Sequence, residues 1–89
     1  MEPLVLVVDD DNEIAAFLDE AIQEVGYRVV TAVDGKALPI ARDEQPAVIL
    51  LDIHMPGMDG IEVSRRLRAD PTTAHIPIVV MSTIERIRA

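Results

Sequence analysis

Three apolar runs, each closed by polar residues, frame this chain. Leu4-Val5-Leu6-Val7-Val8 stops at Asp9-Asp10-Asp11, Ala47-Val48-Ile49-Leu50-Leu51 stops at Asp52, and Ile76-Pro77-Ile78-Val79-Val80-Met81 stops at Ser82-Thr83. Continuous aliphatic runs, with no polar residue at every second position, predict strands covered on both faces. Between the first two runs, Ile14, Phe17, Leu18, Ala21, Ile22 and Val25 recur at helical spacing, with Asn12 placed to cap the helix and Gly26 to end it. Arg28 to Ala32 predicts a further strand around Val29-Val30, and Asp34-Gly35 turns the chain into a second helix on Ala37, Leu38, Ile40 and Ala41. Pro39 lies in that stripe and lacks a backbone donor, so this helix should be short, late-starting or kinked. A proline- and glycine-rich loop, Ile53 to Gly60, follows the third strand. Ile61, Val63, Ser64 and Leu67 then mark a third helix, with Arg65, Arg66 and Arg68 along its outer side and Asp70-Pro71 at its end. Ile84 to Ala89 have the pattern of the opening turns of a fourth helix.

Strand and helix thus alternate four times, which predicts right-handed βαβ crossovers and a single α/β domain over residues 1–89 built on a parallel sheet. The 89 residues suffice for one modest core. There is no cysteine, which excludes disulfides and thiolate metal sites. A net charge of −8 argues against nucleic acid or an anionic membrane as a partner of this segment. No run approaches the roughly 20 apolar residues of a membrane span, and the first apolar run is too short for a signal peptide. A cytoplasmic protein is therefore expected. Asp19, Glu20, Glu24, Asp43, Glu44 and Glu62 fall on the helices, where a solvated face accounts for them.

Asp9, Asp10 and Asp52 differ, because they stand where buried strands end. Ionised carboxylates crowded at such a place repel one another, and a hard divalent cation with oxygen ligands relieves that repulsion. In open parallel sheets ligands bind at the carboxyl ends of the strands, where strand order reverses. Two acids, a third acid and a hydroxyl brought to one edge describe a metal-assisted site for a phosphoryl group. Adjacent acids at a strand end can also simply suit the positive N-terminus of the following helix, and Ser82 can be an ordinary turn residue.

With Asp9-Asp10, Asp52 followed by Met55-Pro56-Gly57-Met58-Asp59-Gly60, and Val79-Val80-Met81-Ser82, the chain resembles the receiver domain of two-component response regulators. The resemblance implies a flavodoxin-like, doubly wound parallel sheet of strand order 2-1-3-4, its fifth βα unit lying outside these residues. It implies that Asp52 accepts the phosphoryl group, that Asp10 is a direct Mg²⁺ ligand, and that Asp9 holds the metal largely through water. The backbone carbonyl of His54 and Asp52 itself complete the protein's metal contacts, and Ser82 hydrogen-bonds the phosphoryl oxygens. Asp11 reads as an exposed extra acid, the His54 side chain as a variable group at the rim, and Met55, Met58 and Met81 as core filler.

The same resemblance implies a histidine kinase or histidine phosphotransferase as donor, docking near Ile14, Phe17 and Leu18. It describes a signalling domain rather than an enzyme. A receiver also carries a fifth strand and helix and a lysine that pairs with the phosphoryl group. Lys36 is the only lysine here and stands elsewhere. Residues 1–89 therefore read as a receiver truncated at its C-terminus, with strand four as a bare edge able to support a homodimer. The alternative function is a non-phosphorylated receiver-like dimerisation or scaffold module. A phosphatase of the aspartyl-nucleophile type finds little support, since Glu13 stands where its hydroxyl would fall.

Overall fold

The computed structural model describes residues 2–54 and 59–81. Four strands, β1 (Leu4–Val8), β2 (Arg28–Ala32), β3 (Val48–Asp52) and β4 (Ile78–Met81), alternate with three helices, α1 (Asn12–Glu24), α2 (Ala37–Glu44) and α3 (Gly60–Ala69). The strands form one parallel sheet in the order β2-β1-β3-β4. This is the expected doubly wound arrangement, with the order reversing on either side of β1. In register, Val8 of β1 lies beside Ala32 and Leu51, and Asp52 lies beside Met81. All four strands therefore point their carboxyl ends to one edge.

Strand periodicity divides the apolar residues between two faces. Leu6, Val8, Ala32, Ile49 and Leu51 join Ala37 and Ala41 of α2, Val63 and Leu67 of α3, and Ile76 in one buried cluster. Each large aliphatic side chain buried there is worth about 1.5–3 kcal/mol. Val5 and Val7, also buried, point to the opposite face, where α1 packs against β1 and β2. That side is thinly covered. No residue of α1 is fully buried, and Phe17 is 70% exposed although it belongs to the apolar stripe.

Local differences from the sequence pattern have local causes. Asp11, not Asn12, caps α1, its Oδ1 accepting from the backbone N–H groups of Glu13 and Ile14 at 2.9 and 3.2 Å. Gly26 ends that helix as expected, at φ +99°, where a side chain would be strained. A 3₁₀ turn, Asp34–Lys36, precedes α2, so Pro39 falls in the first helical turn, where its missing N–H has no helical partner to lose. β4 begins at Ile78, two residues later than the apolar run suggests, because Pro77 cannot donate to a ladder. In α3, Val63 and Leu67 are buried, whereas Ile61 is exposed. Among the described residues no helix is long and apolar enough to cross a membrane.

The opposite edge of the sheet is tied down by side-chain hydrogen bonds to backbone carbonyls. Gln45, which ends α2 in the left-handed region at φ 48°, donates from Nε2 to the carbonyl of Thr72 at 2.8 Å. The Arg68 guanidinium donates to the carbonyls of Ala74 and Ile76, both at 2.8 Å. The buried Thr73 hydroxyl donates to the Leu67 carbonyl at 2.7 Å.

Candidate functional site

The carboxyl edge is where the acids meet. One ligand oxygen each of Asp9, Asp10 and Asp52 lie within 4.8 Å of one another. Asp9 and Asp10 extend β1, and Asp52 is the last residue of the neighbouring β3, so the parallel pairing of these two strands brings together residues far apart in sequence. Asp52 is 1% exposed and Asp9 5%, while Asp10 is half-buried.

Backbone donors hold the carboxylates of Asp9 and Asp52. The N–H of Asp11 donates to Asp9 Oδ1 at 2.9 Å, and the N–H of His54 donates to Asp52 Oδ1 at 3.0 Å. Asp52 Oδ2 is buried and receives no hydrogen bond among the described residues. A buried carboxylate oxygen without a donor is costly, and it is satisfied once a cation or a reacting group stands before it. Burial pushes the Asp9 carboxyl above its ordinary range. The Asp11 N–H opposes that rise, and the negative charges of Asp52 and Asp10 add to it. The site is thus electrostatically frustrated, and a divalent cation with oxygen preference fits the donor set.

The three neighbouring aspartates have distinct tasks. Asp9 and Asp10 face the cluster, whereas Asp11 is exposed and serves α1 as its cap. The His54 side chain is exposed at the rim, as expected, and its backbone N–H contacts Asp52. Ser82, Thr83, Met55 and Met58 lie outside the described residues. Met81 is half-buried. Sequence reasoning missed Gly60: its N–H donates to the carbonyl of Ile53 at 3.3 Å, and a Cβ there would overlap the backbone of Asp52 and Ile53. The glycine is visible in the motif, but the backbone it touches is not.

A doubly wound sheet thus carries three convergent acids at its carboxyl edge, beside the reversal in strand order where open parallel sheets bind their ligands. Comparison with known proteins gives the family. The model of the response regulator receiver domain matches residues 5–88, and the chain belongs to that family. It is 44% identical over 86 residues to the response regulator PleD of Caulobacter vibrioides, covering 96% of this chain and 19% of PleD. It superposes on the N-terminal domain of a response regulator receiver protein from Methanoculleus marisnigri JR1 with a TM-score of 0.87 and 34% identity, covering 97% of this chain and 74% of the other. It also matches the receiver domain of the sensor histidine kinase PA1611 of Pseudomonas aeruginosa PAO1, solved with a magnesium ion coordinated in its active-site cleft. There the TM-score is 0.84 with 27% identity, over 90% of this chain and 66% of that one. The chain spans about a fifth of the length of PleD.

Proposed function

We propose that this receiver domain accepts a phosphoryl group on Asp52 in a Mg²⁺-dependent reaction, from a histidine kinase or histidine phosphotransferase. The observation that carries the reading is the buried Asp52 Oδ2, without a donor among the described residues and grouped with the oxygens of Asp9 and Asp10. Asp9, Asp10 and Asp52 would hold the cation, with the His54 carbonyl as a further oxygen ligand. When bound, the cation supplies charge neutralisation for the acids and for the incoming phosphoryl oxygens.

The chain's own residues supply position. The His54 N–H fixes Asp52 Oδ1 and with it the plane of the carboxylate, and the Asp11 N–H does the same for Asp9. Transfer forms a bond between an Asp52 oxygen and phosphorus while the bond from phosphorus to the donor nitrogen breaks, and the departing imidazole regains a proton from solvent. Ser82 is read as the hydroxyl that bonds the transferred group. The exposed Phe17, with half-buried Ile14 and Leu18, offers the donor an apolar surface on α1. The domain is read as a cytoplasmic signalling module without turnover of its own substrate. Pairing of two copies along β4 is a separate reading that sedimentation at increasing concentration tests.

Intact-mass measurement after exposure to acetyl phosphate and Mg²⁺ tests the central claim. A single phosphoryl adduct, absent with a chelator and absent in Asp52→Asn, is the expected result. No adduct on the folded chain, or one that persists in Asp52→Asn, overturns it.

A further inference from the structure

We infer that Gly60 is a positioning residue for the metal site, acting through the Asp52-Ile53-His54 backbone. The inference rests on the proposed function above. Gly60 is the first residue of α3, and a Cβ built on it meets backbone rather than any flexible side chain. It would stand 2.9 Å from the carbonyl carbon of Asp52 and well inside contact distance of the Asp52 oxygen and the Ile53 Cα. Real Cβ atoms do not tolerate such separations, so something must move.

What moves is decided by what is anchored. α3 is held from below by Val63 and Leu67, both essentially without solvent exposure, and its start is capped by Asp59, whose Oδ1 accepts from the Glu62 N–H at 2.9 Å. β3 is held by Ile49 and Leu51, which are equally buried. Densely packed interiors yield little to a displaced helix or strand. The softer part is the segment just past β3, where Ile53 is half-buried and His54 exposed. Displacing that segment alters the His54 N–H, which donates to the Asp52 carboxylate, and the His54 carbonyl with it. The missing side chain therefore lets α3 close against the end of β3 and hold the acceptor carboxylate in one orientation.

The test is Mg²⁺ affinity, measured calorimetrically on the folded chain, for wild type, Gly60→Ala, Gly26→Ala and Asp52→Asn. Gly26 is the control: its φ of +99° makes alanine strained there, but nothing lies within 4 Å of a Cβ and the position is at the far end of α1. Both alanine variants are expected to lose stability, so the measurement is made in a stabilising osmolyte, with circular dichroism to check that each chain is folded. Gly60→Ala should bind Mg²⁺ about 10- to 100-fold more weakly than wild type, the range seen when groups orienting a metal ligand are lost. Gly26→Ala should bind like wild type. Equal affinities in the two alanine variants overturn the inference. So does a Gly60→Ala chain that stays unfolded where Gly26→Ala folds, since the glycine is then purely structural. A wild-type chain with no Mg²⁺ binding that depends on Asp52 overturns the proposed function itself, and the inference falls with it.

Discussion

The two edges of the sheet are made of similar residues and treated in opposite ways. At the amino edge of β3 and β4, Gln45 ties the end of α2 to Thr72, and Arg68, Asp70, Thr72 and Thr73 brace the connection from α3 to β4 with hydrogen bonds. At the carboxyl edge, three carboxylates crowd together and Asp52 Oδ2 has no donor among the described residues. Asp70 and Asp9 show the contrast in one residue type. The Thr72 hydroxyl, and then its N–H, hold Asp70 below the ordinary carboxylate range, whereas burial pushes Asp9 above it. One edge is arranged to lower its own free energy, and the other leaves polar atoms for something that arrives later. The arrangement that stabilises the fold is therefore not the arrangement that readies the site.

Substitutions should separate the edges by sign. The largest effect is expected from Leu67→Ala, which removes a fully packed side chain beneath the tied loops and should cost about 2–5 kcal/mol in urea unfolding. Phosphoryl labelling per folded molecule should be unchanged. Thr73→Val keeps the shape and removes the hydroxyl that serves the Leu67 carbonyl, so a loss of about 1–2 kcal/mol is expected. At the carboxyl edge the sign reverses. Asp52→Asn, in the absence of metal, removes one of three like charges and brings an amide donor toward Asp9. It should raise the melting temperature by the equivalent of about 1 kcal/mol while abolishing labelling and stabilisation by Mg²⁺. A metal-free Asp52→Asn chain less stable than wild type would erase the distinction between the edges.

The smallest expected effect is in pH dependence, where the two aspartates should pull in opposite directions. Without metal, the folded chain holds the Asp9 proton more tightly than the unfolded chain does. The stabilisation this gives is complete below the ordinary value of 3.8 and is lost as pH rises through the raised folded value. Asp70 contributes above its ordinary value of 3.8, and that contribution is lost as pH falls through the lowered one. Melting curves across this range in a chelator check both. Wild type should lose ground to Asp9→Asn as pH rises, and should lose its margin over Asp70→Asn as pH falls.

Where local pattern was sufficient, the sequence could be read directly. β1 and β2 coincide with their apolar runs, and Gly26 ends α1 as its position indicates. The three acids were legible because parallel pairing of two buried strands leaves few places for their ends to go. The choice of Asp11 over Asn12 as cap was not, because both residue types cap well and the turn decides between them. Neither Gln45 reaching Thr72 nor Gly60 against Asp52 could be foreseen, since each depends on how closely separate elements approach. How exposed Phe17 is could not be foreseen for a related reason. Helical spacing identifies an apolar stripe, but how much of the stripe a sheet covers depends on the neighbouring strands.

That thin cover on α1 has a kinetic consequence. A helix with no fully buried residue opens at a smaller free-energy cost than the core it rests on, so its amides should exchange with solvent ahead of those of β1 and β3. The opening is chained to the acids through Asp11, whose N–H serves Asp9 and whose carboxylate holds the first amides of the helix. Deuterium uptake at Glu13 and Ile14 should slow when a cation quiets the charges beside them, so the loosest helix would report the occupancy of the site.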